Sequence, residues 1–455
     1  GVSWRLLAAT LVAGSLSAAH AQGAAGWKAG VAKVVITPAG PIWMAGYGAR
    51  TKPSEGVRQD LHAKALALQD ETGVNTVLVT LDLVGIKREL SDQIAERCRR
   101  QFGLPRDRLA LNFSHTHSGP VTGRPPPYAD VNKEQEEVIR RYTAELLDKV
   151  VDVVGRSIRD LSPATLSFEQ GLAAIGVNRR RVRLRALPGP VDHDVPVLCV
   201  RGPNREVRAI VAGYACHATS LGDYQIGGDW PGFAQAELEK RHAGATAMFV
   251  QGCGADSNPL PRYQGTDPAL LHYSVEMAAS FGKVLAAAVD LVVHGKMKPI
   301  GGPLRTAIEP VAIPYQRLPT REELQTRIKD KGLSERRSAE RLLAVLDRDG
   351  RLPSHLQYPV QVWQFGSDLL FVALGGEVVV DYSLRLKAQH GWDRTWVAGY
   401  SNEVPGYIPS LRVLKEGGYE GGDANRDLPG LFSAAIEEMI VEKVNDLVGR
   451  TRLAR

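Results

Sequence analysis

The chain predicts a mixed α+β fold of the α/β class, with central β-sheets flanked by helices and a site at the carboxyl ends of the strands. Three observations support this reading. Apolar, β-rich runs alternate with helical stretches along the whole chain. Five of the runs end in a polar, glycine-rich junction, the edge of a sheet where sites gather. No internal repeat stands out, so a solenoid or propeller is not indicated.

Strands are expected at 76–83, 109–113, 209–215, 246–251, 360–365, 369–374 and 395–398, with Gly366-Ser367-Asp368 as a hairpin turn between two of them. A helix is expected over 134–156, because Val138, Ile139, Tyr142, Leu146, Val150 and Val153 share one side. A heavily charged stretch over 321–346 reads as a second helix, either a surface insertion or a lid over the site, with a solvated face the plainer reading. A last amphipathic helix falls near 431–448.

The chain has 455 residues, 44% hydrophobic and 23% charged, ordinary for a globular protein of enzyme size. Residues 1–21 form a separate module. Arg5 precedes an apolar run from Leu6 to Ala18, and Ala19-His20-Ala21 matches a small-x-small cleavage pattern. This predicts a secretory signal peptide, a mature catalytic domain over 22–455, and a secreted or periplasmic protein. Four cysteines are too few for a disulfide scaffold. Cys216 and Cys253, each at the end of an apolar run, are the pair expected to bridge after export. The net charge of +6 comes from scattered Lys and Arg, and only 6% of the chain is aromatic, so nucleic-acid binding is not expected. Such a basic exported chain suits peripheral contact with an anionic membrane surface. Oligomeric state is not legible.

The junctions carry the chemistry. Asn112-Phe113-Ser114-His115-Thr116-His117-Ser118-Gly119-Pro120 sets two imidazoles two residues apart, on one face if the backbone stays extended. Taken alone, that pair has a plain reading as surface histidines in a loop. The others are Cys216-His217-Ala218-Thr219-Ser220, Gly252 to Pro259 with Asp256, Gly375-Gly376-Glu377, and Gly399-Tyr400-Ser401-Asn402. Together they supply His, His, Asp, Glu and Tyr, which points to a metal hydrolase. His115, His217 and Glu377 are a good first set of zinc ligands. A backbone-satisfied histidine and a helix-start carboxylate are the plain alternatives for His217 and Glu377. No nucleophile elbow, HExxH helix, P-loop or dinucleotide fingerprint is present.

These residues resemble the neutral (alkaline, non-lysosomal) ceramidases. The resemblance rests on His115 to Pro120, Asn178-Arg179, Cys216 to Ser220, Gly228-Asp229-Trp230-Pro231-Gly232, Gly254-Ala255-Asp256, Gly376-Glu377, Tyr400-Ser401-Asn402 and the Tyr407/Tyr419 pair, in order from about Gly30 to Gly422. It implies an amidase with one Zn²⁺ per chain that hydrolyses the N-acyl bond of ceramide. The implied zinc ligands are His115, His217, Glu377 and Tyr407, with His117, Arg179 and Tyr419 at the reacting centre. Asp256 and Asn258 are implied as substrate contacts. Two departures bear on substrate. The chain stops at Arg455, leaving no room for the C-terminal immunoglobulin-like domain of the family's long members. Asp256-Ser257-Asn258-Pro259 replaces an Asp-x-Ser-Pro-Asn segment. The expected substrate is therefore ceramide or a related N-acyl lipid or amide. The alternatives are a zinc esterase or lactonase, or a non-catalytic exported binding protein of the same fold.

Overall fold

The computed structural model describes residues 26–183, 185–263, 267–330 and 332–452. The expected signal peptide lies outside the described residues.

Two β-sheets pack face to face between outer layers of helices. The larger runs in the order Thr246–Gln251, Val207–Tyr214, Asp194–Arg201, Ser162–Leu172, Trp27–Val35, His62–Gln69, Asn75–Leu81, Leu109–Phe113. The smaller is Leu304–Pro314, His355–Phe365, Leu369–Leu374, Thr395–Ala398. Strand alternation explains why the apolar runs are continuous. Ala63, Ala65 and Ala67 face the outer helices Arg88–Phe102 and Lys133–Arg159, while Leu66 and Leu68 face the second sheet. In the smaller sheet Leu370, Val372 and Leu374 face the helices Val380–His390 and Ile436–Thr451, while Leu369, Phe371 and Ala373 face inward. Strands covered on both sides need no polar face. Between the sheets, the Trp27 and Phe365 rings lie 5.9 Å apart and those of Phe168 and Trp396 6.1 Å apart.

The expected strands 109–113, 246–251, 369–374 and 395–398 form with those bounds, and the 366–368 turn joins an antiparallel pair. The charged stretch differs from expectation. It is a helical hairpin, Arg321–Asp330 and Leu333–Asp349, which breaks at Gly332 and has its own small core around Leu324, Ala339 and Leu342. The helix Pro268–His294 holds a segment long and apolar enough to cross a membrane, and here it packs on the helix Asp229–Arg241 and the strands Ser162–Leu172 and Asp194–Arg201. The cysteine expectation is corrected, since all four thiols are free and buried. Cys216 belongs to the cluster around Tyr214, Trp230 and Phe249, whereas Cys253 belongs to the cluster around Tyr358, Val360 and Val372.

One side chain brings the site's strand ends together. Leu109–Phe113 and Thr246–Gln251 are opposite edges of the larger sheet, yet Asn112 joins them. Its Nδ2 donates to the Gln251 and Gly399 carbonyls at 3.3 and 2.8 Å, and its Oδ1 accepts from the Gln251 N–H at 2.7 Å. Leu109–Phe113 and Val207–Tyr214 each run parallel to a neighbour, as do Leu369–Leu374 and Thr395–Ala398. Their carboxyl ends meet at one rim.

Candidate metal centre and active site

His115 and His217 stand at that rim with their ring tautomers fixed by the backbone. His115 Nδ1 is 2.6 Å from the Val84 carbonyl and His217 Nδ1 is 2.8 Å from the Gly254 carbonyl. A carbonyl only accepts, so each Nδ1 carries the proton and each Nε2 presents a lone pair. Both Nε2 atoms lie 3.2 Å from Glu377 Oε2, which is buried and has no hydrogen-bond donor. Burial, and then the Arg179 charge, hold His217 down to about 4, so a proton on its Nε2 at neutral pH does not resolve the contact. Three acceptors with no hydrogen between them are an arrangement that a bound cation would satisfy. An ion with tetrahedral bonds of ~2.0 Å sets its ligand atoms roughly 3.3 Å apart. The separations found fit that spacing, and the donor set fits a divalent metal. Tyr407 Oη lies 3.5 Å from His217 Nε2. Its position follows from the short parallel pair Glu377–Val378 and Tyr407–Ile408, in which Glu377 and Tyr407 are partners.

His117 completes a buried group able to hold a metal ion, the ligand atoms of His115, His117 and His217 all lying within 4.8 Å of one another. Its Nε2 is 3.1 Å from the His115 Nε2 lone pair, to which it can donate, while its Nδ1 is buried without a partner. Burial, reinforced by His115 and His217, keeps it well below the ordinary imidazole range. The backbone there is strained. His115, Asp229, Tyr400 and Asn402 all have φ between +47° and +65° without being glycine, which marks sites held by their surroundings. Asp229 shows how. Its carboxylate accepts from the N–H groups of Ser220, Leu221 and Trp230, and the Trp230 indole donates to the His217 carbonyl at 2.8 Å. The Gly228 to Gly232 turn thereby locks the segment that carries His217.

Arg179 donates from Nη2 to Tyr407 Oη at 3.0 Å and from Nε to Glu420 at 2.6 Å. Burial opposes its charge, but Tyr407 and Glu420 outweigh this and hold the guanidinium above its usual range. Burial pushes the Tyr407 phenol well up, against Arg179, so it keeps its proton unless a bound cation stabilises the phenolate. Tyr419, half exposed, sets its ring 5.3 Å from that of Tyr407. Glu420 binds Arg180 as well, at 2.7 Å, which turns a run that reads as surface charge into a buried ionic ladder.

The centre opens into a cavity of about 400 Å³, lined by His115, His117, Glu377, Tyr407 and Tyr419 at its base and by Ser334 and Arg341 of the charged hairpin. Through Ser334 and Arg341 that hairpin forms part of the cavity wall, while most of its charged residues remain exposed or partly exposed. Asp256 and Asn258, expected to touch substrate, do not line the cavity. The Asp256 carboxylate is fully buried and accepts from Val380 N–H and Asn178 Nδ2. Asn258 pairs with Val177 in a short antiparallel ribbon.

The sequence profile of the neutral/alkaline non-lysosomal ceramidases, N-terminal part, matches residues 27–267, more than half of the chain. The chain belongs to this family. Among solved structures it resembles the neutral ceramidase from Pseudomonas aeruginosa, with a TM-score of 0.72 at 18% identity, over 94% of this chain and 76% of that one. A ceramidase complexed with C2 gives 0.71 at 17% identity, over 95% and 76%. At such identities the likeness is one of fold. The protein is thus a ceramidase-like hydrolase whose buried histidines are able to hold a metal ion. Sequence reasoning gave no role to Asn112, Glu420 or Arg180. Glu420 had one signal, its place next to Tyr419, while Asn112 had none beyond its position at a strand end.

Proposed function

We propose that this chain is an exported zinc-dependent amidase that hydrolyses the N-acyl bond of ceramide or a related N-acyl lipid to a fatty acid and an amine. The observation that carries the reading is the convergence of His115 Nε2, His217 Nε2 and Glu377 Oε2, with no hydrogen among them, at the base of a cavity in a ceramidase-family fold. His115, His217, Glu377 and Tyr407 would hold the ion. Bound zinc would polarise the amide carbonyl and activate water at neutral pH. His117 Nε2 faces the centre and is neutral, so it suits a base that takes a proton from water and returns it to the leaving nitrogen. Water's oxygen joins the acyl carbon as the C–N bond breaks, and the amine leaves with the transferred proton. Arg179, through Tyr407, and Tyr419 supply hydrogen bonds around the developing oxyanion. One similar solved structure is a ceramidase with C2 bound, which favours an N-acyl lipid substrate. Export rests on the 1–21 segment and leaves secretion and the periplasm equally open.

The test is hydrolysis of a fluorogenic ceramide and of a simple N-acyl amide, with metal content measured before and after chelation. Turnover should vanish on chelation and return with zinc. His117→Ala should keep the metal and lose about 10²- to 10⁴-fold in kcat. Loss of metal in that variant would favour a three-histidine centre instead. Full activity in His217→Ala would end the assignment.

A further inference from the structure

Above the metal centre the cavity wall carries more positive charge than it neutralises. Lys87, Arg124, Arg341 and Arg426 all line it, against one acidic side chain, Asp427, besides Glu377 at the base. Arg341 is committed, binding Asp427 through Nη1 at 3.3 Å and the Pro125 carbonyl through Nη2 at 2.6 Å. Lys87 reaches in from the start of the helix Arg88–Phe102 and gives its Nζ to the Val404 and Pro405 carbonyls at 3.1 and 3.2 Å. Those are neutral acceptors, so Lys87 has no direct ion pair, and the Asp427, Glu377 and Glu403 carboxylates act on its charge only from a distance. Among the described residues the Arg426 guanidinium makes one long contact, 3.4 Å, to the Asp423 carbonyl. Arg124 is exposed, and its guanidinium has neither an ion pair nor a hydrogen-bond partner among the described residues. The cations feel one another: burial first, and Arg124 in addition, depress both Lys87 and Arg341. A wall built only to receive an apolar chain and a neutral head group has no use for three cations around a carboxylate already paired.

We propose that this wall is an anion subsite, and that the preferred substrates are N-acyl amides whose amine portion carries a carboxylate or a phosphate. The inference rests on the amidase reading, and it names the class of substrate for the same site. Arg124 and Arg426 are the recognition groups, free to turn onto an anion. Lys87 supplies a fixed positive charge from below, and the Leu333–Asp349 helix, tied down through Arg341, closes the side.

Three lauroyl amides test this on the full chain: N-lauroylglycine, N-lauroyl-O-phosphoethanolamine and neutral N-lauroylethanolamine. The anionic compounds should exceed the neutral one by at least about tenfold in kcat/KM at low salt, mainly through KM, and the ratio should shrink at high salt. Arg124→Gln and Arg426→Gln should each collapse the ratio. Whether carboxylate or phosphate leads identifies the source of the anion. Binding of the same compounds, measured calorimetrically in the presence of chelator, reads the subsite without turnover or metal. An anion preference in binding that disappears in Arg124→Gln upholds the proposal even if no amide is cleaved, a result that would sink only the amidase reading. Equal turnover and equal binding of the three compounds, or a ratio unmoved in both variants, overturns the subsite and leaves the amidase reading standing.

Discussion

Replacing Glu377 by Gln should stabilise the metal-free protein and weaken the metal-loaded one, a crossing that a carboxylate paired with a protonated imidazole would not produce. Glu377 Oε2 sits 3.2 Å from two ring nitrogens whose protons are committed to the Val84 and Gly254 carbonyls. Burial holds His217 down to about 4, so its ring is neutral at pH 7 and its contact with Glu377 is between acceptors. A Gln amide placed there offers two N–H donors, one toward each Nε2. Two new hydrogen bonds at roughly 0.5–1.5 kcal/mol each contribute about 1–3 kcal/mol. For a chain of this length that is an increase of about 1–3 °C in Tm. With zinc the sign reverses. A 100-fold weaker affinity removes about 2.7 kcal/mol of ligand-linked stability. Scanning calorimetry of both proteins, in chelator and in excess zinc, reads the two shifts directly. If the Gln variant loses stability in chelator as well, Glu377 is the partner of a protonated imidazole and the three atoms are not a metal-binding set.

Further consequences follow from particular contacts. A Cβ at Gly46, where φ is +95°, would stand 2.4 Å from His117 Cγ, so Gly46→Ala should displace that ring and lower kcat by about 10²-fold or more with metal content unchanged. Glu420→Gln breaks the charge that aligns Arg179 and Arg180. It should cost about tenfold in kcat without loss of metal, and a wild-type rate would remove Glu420 from the positioning ladder. Burial lifts the Asp256 carboxyl to about 6, above its ordinary 3.8. Its stabilising contribution is therefore full below about pH 4 and lost as pH rises through about 6, a change of about 3 kcal/mol. In denaturant titrations across that window, Asp256→Asn should show a flatter pH dependence of stability than the wild type; an unchanged slope would count against the shift.

The sequence by itself determined the parts. Strand ends are legible because a run buried on both faces must be apolar, and the first polar, glycine-rich residues after it must lie outside the sheet. That logic placed His115, His217, Glu377 and Tyr400 at strand ends. Resemblance to the ceramidases added Tyr407, which a two-residue strand pairs with Glu377 and which no local pattern distinguishes from Tyr400. What only the tertiary structure decided is convergence. Asn112 bridges strands that are opposite edges of one sheet, Arg180 is a buried ion rather than surface charge, and the charged hairpin forms part of the cavity wall. Cys216 and Cys253 stay unbridged with their side chains in different clusters, and Asp256 turns from the cavity because two N–H donors claim its oxygens. The physical reason is common to all of these. Burial and apolar periodicity act along the chain and are written locally, whereas hydrogen bonds and charge pairs between residues 78 to 240 positions apart exist only once the sheets have packed.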